Sequence, residues 1–106
     1  SNELKNKLLK VPQSLLKKHG AVSAEVVQVM AQNVAKITDA DIGLAISGIA
    51  GPGGGTPEKP VGLAYISMYY KNKITVKKHH TNYDRVENKK RFAAAALGMI
   101  KENLGQ

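Results

Sequence analysis

The sequence predicts an α/β fold, a three-layer α/β/α sandwich with a central, partly mixed sheet. Three observations predict it. Apolar residues recur at helical spacing toward both ends of the chain. Between Asp41 and His80 the period changes to two. No repeat and no linker interrupts the 106 residues, so helices and strands share one core in one domain.

Each element has a local reason. Leu4, Leu8 and Leu9 are spaced as one helix face, and Val11-Pro12 breaks it, because proline disfavours helix at the residue before it. A short second helix runs from about Pro12 to Lys18 with Leu15 and Leu16 inward, and His19-Gly20 ends it. Ser23 is an N-cap, Glu25 suits the first turn, and Val26, Val27, Met30, Val34 and Ile37 form the inward stripe of a helix reaching about Lys36. Ile42, Leu44 and Ile46 then alternate with Gly43, Ala45 and Ser47. This reads as a central strand whose small residues leave room for an element packed on that face. A second strand spans Val61 to about Tyr70, apolar on both faces. Lys71-Asn72-Lys73 turns it into a third, Ile74 to about His80, where lysines mark an edge. Asp84 with Glu87 resembles a capping box, and Phe92, Ala96, Met99, Ile100 and Leu104 line a long last helix.

Composition narrows the function. With no cysteine there is no disulfide framework, thiolate metal site or cysteine nucleophile, which suits a reducing, cytoplasmic location. No run approaches a membrane span, and Ser1 to Lys10 carry charges where a signal peptide is apolar, so no membrane partner is expected. The formal charge of +8 attracts anions. Its lysines are scattered and not interleaved with aromatics, so nucleic acid is not the expected partner. His19, His79 and His80 lack metal-site spacing, no metal is expected, and Tyr65, Tyr69 and Tyr70 read as core or sheet surface.

The segment Gly48-Ile49-Ala50-Gly51-Pro52-Gly53-Gly54-Gly55-Thr56-Pro57-Glu58-Lys59-Pro60 exceeds what a strand connection needs. Prolines fix its course while glycines let a ligand approach the main chain, so its N–H groups can form an anion cradle. It has neither the Gly-Lys-Ser/Thr of a P-loop nor the third glycine of a dinucleotide fingerprint.

From Ser47 to Gly62 this segment resembles the hallmark of the CinA C-terminal domain family, the nicotinamide-nucleotide amidases. His19-Gly20-Ala21-Val22-Ser23 resembles the family's His-Gly-Ala-Val-Ser turn, Asp84-Arg85 and Ala95-Ala96-Leu97 its last helix, and Ser1 to Lys5 the tail of its Tyr-x-Asn-x-x-Lys motif. The resemblance implies hydrolysis of nicotinamide mononucleotide to nicotinate mononucleotide and ammonia by a serine nucleophile, with no cofactor. The family's Ala-Glu-Ser-x-Thr-Gly-Gly motif is not among these residues. They therefore read as a domain that begins mid-motif and is inactive without the serine segment. Lys5 aligns with the family's lysine and is the implied general base; Asn2, Ser47, Gly48, Gly51 and Arg85 are the implied substrate contacts. Arg85 can clamp a phosphate or carboxylate, and Lys89 stands where the family often has a second arginine. Taken alone, Lys5 among Lys7 and Lys10 reads as surface. The alternative is a non-catalytic ligand-binding or oligomerisation module of a competence- or DNA-damage-associated protein. A homo-oligomer is expected from the glycine-rich loop and an exposed sheet edge.

Overall fold

The computed structural model describes residues 10–105. The first predicted helix, with Asn2 and Lys5, lies outside them.

Helix α1, Gln13–His19, begins after Pro12, whose fixed φ of −59° suits the helix entry, and buries Leu16. It ends at Gly20, φ 76°, whose N–H donates to Leu16 O at 2.8 Å. Helix α2, Ala24–Thr38, starts at Ser23, whose Oγ accepts from the Val26 N–H at 3.2 Å and donates to Gly20 O at 2.8 Å. One hydroxyl thus closes α1 and opens α2.

Strands β1 (Ile42–Gly48), β2 (Leu63–Tyr70) and β3 (Lys73–His80) form a sheet in the order β1-β2-β3, antiparallel at both pairings. The turn between β2 and β3 uses Lys71 and Asn72, both at positive φ. The small residues of β1 read as those of a central strand. Among the described residues it pairs with β2 alone, and β2 is the centre. β3, at an edge of the sheet among the described residues, carries the predicted lysines.

The register divides the side chains cleanly. Gly43, Ala45 and Ser47 of β1 share a face with Tyr65, Ser67 and Tyr69 of β2, and α2 covers that face. Val11, Leu16, Val26, Val27, Met30 and Ala31 complete this core. Leu44 and Ile46 face the other way with Ile66 and Met68, under helix α3, Arg85–Asn103, which contributes Ala96 and Met99. Phe92 meets the His79 ring edge to face, centroids 6.3 Å apart.

The inward stripe of α2 is rotated from the predicted one. Val26, Val27 and Met30 are buried as expected, but Ala31 and Ala35 complete the stripe while Ile37 is 53% exposed. The reason lies across the interface. A Cβ on Gly43 would sit 2.0 Å from the Ala31 carbonyl oxygen and 2.9 Å from the Ala35 Cβ. Helix and strand therefore approach at backbone contact, and only small residues fit along that line.

Helix α3 is capped by Asp84, whose Oδ1 accepts from the Glu87 N–H at 2.9 Å. Glu87 pairs with Arg91 at 3.1 Å, so the capping box forms in one direction. Asn88 is fully buried. Its Nδ2 donates to Ala50 O at 2.9 Å and Tyr83 O at 3.0 Å, and its Oδ1 accepts from the Tyr83 N–H at 3.0 Å. Among the described helices, none is long and apolar enough to cross a membrane.

Two substitutions test this packing by urea denaturation. Gly43→Ala must push α2 off the sheet and should lower stability by about 3 kcal/mol. Asn88→Ala leaves three partly buried main-chain groups without this partner and should cost about 2 kcal/mol, with the loss accompanied by faster proteolysis of the β1–β2 connection.

Candidate functional site: a braced glycine-rich loop

The connection from Ile49 to Gly62 closes as an extension of the β1–β2 ladder. The Ile49 N–H donates to Leu63 O at 2.9 Å and the Gly62 N–H to Ile49 O at 2.6 Å. Gly62 O in turn accepts from the Thr81 N–H at 2.9 Å, so the loop root is tied to the end of β3 as well. Thr81 is buried there and its hydroxyl has no hydrogen-bond partner among the described residues.

Three further braces shape the loop. Asn88 holds Ala50, and Arg85 Nη1 donates to the carbonyl of the next residue, Gly51, at 3.0 Å. The Gly51–Pro52 bond is cis. At the far limb Thr56 and Lys59 form a tight turn, the Thr56 N–H donating to Lys59 O at 2.9 Å and the Lys59 N–H to Thr56 Oγ1 at 3.0 Å. From that turn Lys59 Nζ reaches the His19 carbonyl at the end of α1. A charged donor on a helix C-terminal carbonyl is favoured by the helix dipole.

Between these braces lies an unsupported stretch. Pro52 to Glu58 are exposed. The amides of Gly53, Gly54 and Gly55 make no intrachain hydrogen bond among the described residues. Gly54 has φ +93°, and a Cβ there would meet only the Ile49 Cγ2 at 3.6 Å; Gly53 is open too, whereas a Cβ on Gly55 would sit 2.7 Å from the Val61 nitrogen. Consecutive free N–H groups on a bent glycine backbone are the arrangement that binds anions.

The residues predicted for the site fall into three groups. Ser47, Gly48 and Gly51 lie at the loop root, as expected. Ser47 is 5% exposed on the α2 side of the sheet, whereas Gly48 is against Phe92 on the α3 side. Arg85 is brought to the same root, where one of its five donors is engaged by Gly51. The α3 N-terminus beside it is occupied by the Asp84 carboxylate, so the positive end of the helix is already satisfied. Lys89 is exposed one turn on. Asn2 and Lys5 lie outside the described residues. Sequence reasoning missed Asn88 and Lys59. The one signal for Asn88 was its position on the predicted inward side of α3, one turn before Phe92.

A concavity of about 460 Å³ lies at the opposite end of the sheet, lined by Ala40, Asp41 and Tyr69 to Asn72. It sits around the β2–β3 turn, where Tyr69 Oη donates to Asn72 Oδ1 at 2.8 Å, and none of the predicted site residues lines it. Convergence of braced main chain, not cavity size, marks the glycine-rich loop as the candidate site.

Comparison with known proteins agrees with this geometry. A family model described as the CinA C-terminal domain matches residues 1–104. A CinA-like protein of Kosmotoga olearia is 49% identical over 104 residues, covering 98% of this chain and 25% of that protein; one of Thermotoga maritima is 48% identical with the same coverage. The chain thus spans about a quarter of these relatives. Among solved structures, a competence-damaged protein (CinA) superfamily protein from Klebsiella pneumoniae superposes with a TM-score of 0.94 at 30% identity, over 99% of this chain and 66% of that one. A competence/damage-inducible protein from Agrobacterium tumefaciens does so at 0.89 and 34% identity, over 100% and 65%. The fold, the loop and the matched sequence together establish that this chain belongs to the CinA C-terminal domain family.

Proposed function

We propose that the complete protein is a cytoplasmic amidohydrolase that converts nicotinamide mononucleotide and water to nicotinate mononucleotide and ammonia, and that these residues supply the substrate-binding half of its site. The observation that carries the reading is the loop tip: three successive glycine amides without intrachain partners, beside a root fixed by Asn88 and Arg85. A mononucleotide offers a dianionic phosphate at one end and a neutral carboxamide at the other. A row of N–H donors with a guanidinium nearby suits the phosphate.

In this reading the division of labour follows from the chemistry of amides. The nucleophile is a serine supplied by the family's Ala-Glu-Ser-x-Thr-Gly-Gly motif, outside these 106 residues. Lys5 in its neutral form takes the serine proton as the hydroxyl attacks the carboxamide carbon, and returns it to the departing nitrogen, which leaves as ammonia. Water then cleaves the acyl-serine ester, releasing the carboxylate. Asn2, Ser47 and Gly48 orient the carboxamide, with main-chain N–H donors stabilising the oxyanion. Arg85, steadied by Gly51, turns remaining donors to the phosphate. Nucleophile, base and donors are all protein groups, so the reaction asks for no cofactor.

Ammonia release from nicotinamide mononucleotide tests the proposal, using this chain and a version extended N-terminally through a relative's serine motif. The extended form should turn over and this chain should not; silence from both would overturn the amidase reading in favour of the ligand-binding module. In the extended form Gly54→Val should raise KM about tenfold or more, the loss of one or two N–H contacts to a charged group, while far-UV circular dichroism stays unchanged.

A further inference from the structure

The two limbs of the glycine-rich loop are held by different means. The first is part of the protein body. Gly51 is buried against Val61, where an added Cβ would lie 2.6 Å from Cγ1, and the Ala50 and Gly51 carbonyls accept from the fully buried Asn88 and from Arg85. Lifting this limb would strip the partner from a buried carboxamide, which is costly.

The second limb has a single tether. Pro52 to Glu58 are exposed, and from Pro52 to Lys59 the one hydrogen bond to an element outside the loop, among the described residues, runs from Lys59 Nζ to the His19 carbonyl. Thr56 and Lys59 otherwise bond each other, N–H to O at 2.9 Å and N–H to Oγ1 at 3.0 Å, so their turn is a closed unit that can move as one body. The seat of the tether is prepared on α1. Gly20, at φ 76°, leaves room for the ammonium, since a Cβ there would lie 3.1 Å from Nζ. Ser23 Oγ takes the Gly20 carbonyl at 2.8 Å, so the two carbonyls that end α1 are each claimed by one side chain. The His19 ring Nδ1 lies 3.6 Å from the Glu25 carboxylate at the start of α2, which steadies the seat from the other side.

We infer that Lys59 is a positioning residue for the loop tip: its ammonium on the α1 C-terminus fixes the second limb, and this limb, not the first, swings when an anionic ligand enters or leaves. The helix dipole favours the closed contact, yet a point charge on a flexible four-carbon stem can give that carbonyl up to water and return to it without disturbing the core. With the latch closed, the amides of Gly53, Gly54 and Gly55 keep one mutual geometry. With it open, Gly55 moves with the Thr56 turn while Gly53 stays with the braced limb, and the row of donors is broken. Apparent affinity for an anion then scales with the latched fraction. The inference rests on the reading of the tip as an anion site.

Amide nitrogen relaxation on this chain tests the latch without any ligand. Order parameters at Gly55, Thr56 and Glu58 should fall from about 0.85 to below about 0.6 in Lys59→Met, with those of Ile49 and Gly62 at the loop root unchanged. Titration with inorganic phosphate, followed by the shifts of the Gly53 to Gly55 amides, should show binding about tenfold weaker in Lys59→Met, as expected if the latched fraction falls to about a tenth. Lys59→Arg keeps a charged donor and should restore both readouts. Lys18→Met, which removes the same charge from an exposed position on α1, should change neither. Unaltered order parameters in Lys59→Met would overturn the latch, and so would an equal loss of phosphate binding in Lys18→Met, which would reduce Lys59 to its charge. Phosphate that shifts none of these amides in the parent chain would sink the anion reading of the tip, and with it the positioning role, even where the relaxation data show Lys59 holding the limb.

Discussion

One buried carboxamide carries most of the order around the glycine-rich loop. Asn88 reaches from α3 across to Ala50 and Tyr83 and leaves neither its donor nor its acceptor idle. A loop with so many glycines loses more conformational entropy on ordering than any other segment of its length. Without fixed partners for its carbonyls it would be a tether. The carbonyls of Ala50 and Gly51, held by Asn88 and Arg85, convert its first limb into part of the α3 packing surface, and Lys59 does the same for its second limb against α1. The tip between them inherits its position from three helices and strands it does not touch.

That arrangement divides the loop into main chain that is committed and main chain that is available. Carbonyl oxygens are taken up by side chains from α3, while the amides at Gly53 to Gly55 make no intrachain hydrogen bond among the described residues. The polarity that results is positive and belongs to backbone dipoles, so it needs no long cationic side chain and loses no rotamer entropy on binding. Arg85 links the two roles. It commits one donor to the Gly51 carbonyl, and in the proposed reading its planar fork leaves others for a ligand.

The sheet shows the same economy of charge. Lysines stand on β3 and the outer face of α3, and small or aliphatic residues on β1. On the α2 side the small residues of β1 admit a helix at backbone contact distance. On the α3 side its isoleucines and leucine are only half covered. The strand thus meets its two covering helices differently, at backbone contact on one face and through aliphatic side chains on the other.

Much of this was legible from sequence. Ser23 and Asp84 announced both helix starts, the alternation at Ile42 to Ser47 announced a strand with a small-residue face, and the lysines at 73, 77 and 78 announced an edge. Such features are local, and local hydrogen bonding or side-chain periodicity decides them. The family too was written in the residues from Ser47 to Gly62. The sequence could not turn Ile37 outward or assign Asn88 and Lys59 to the loop. Each of these depends on contacts between segments far apart in the chain: Ala31 with Gly43, Asn88 with Ala50, Lys59 with His19. Local chemistry set the elements and the composition of the loop. Only packing, which fixes distances between elements, decided which polar groups were consumed in holding that loop and which were left without an intrachain partner.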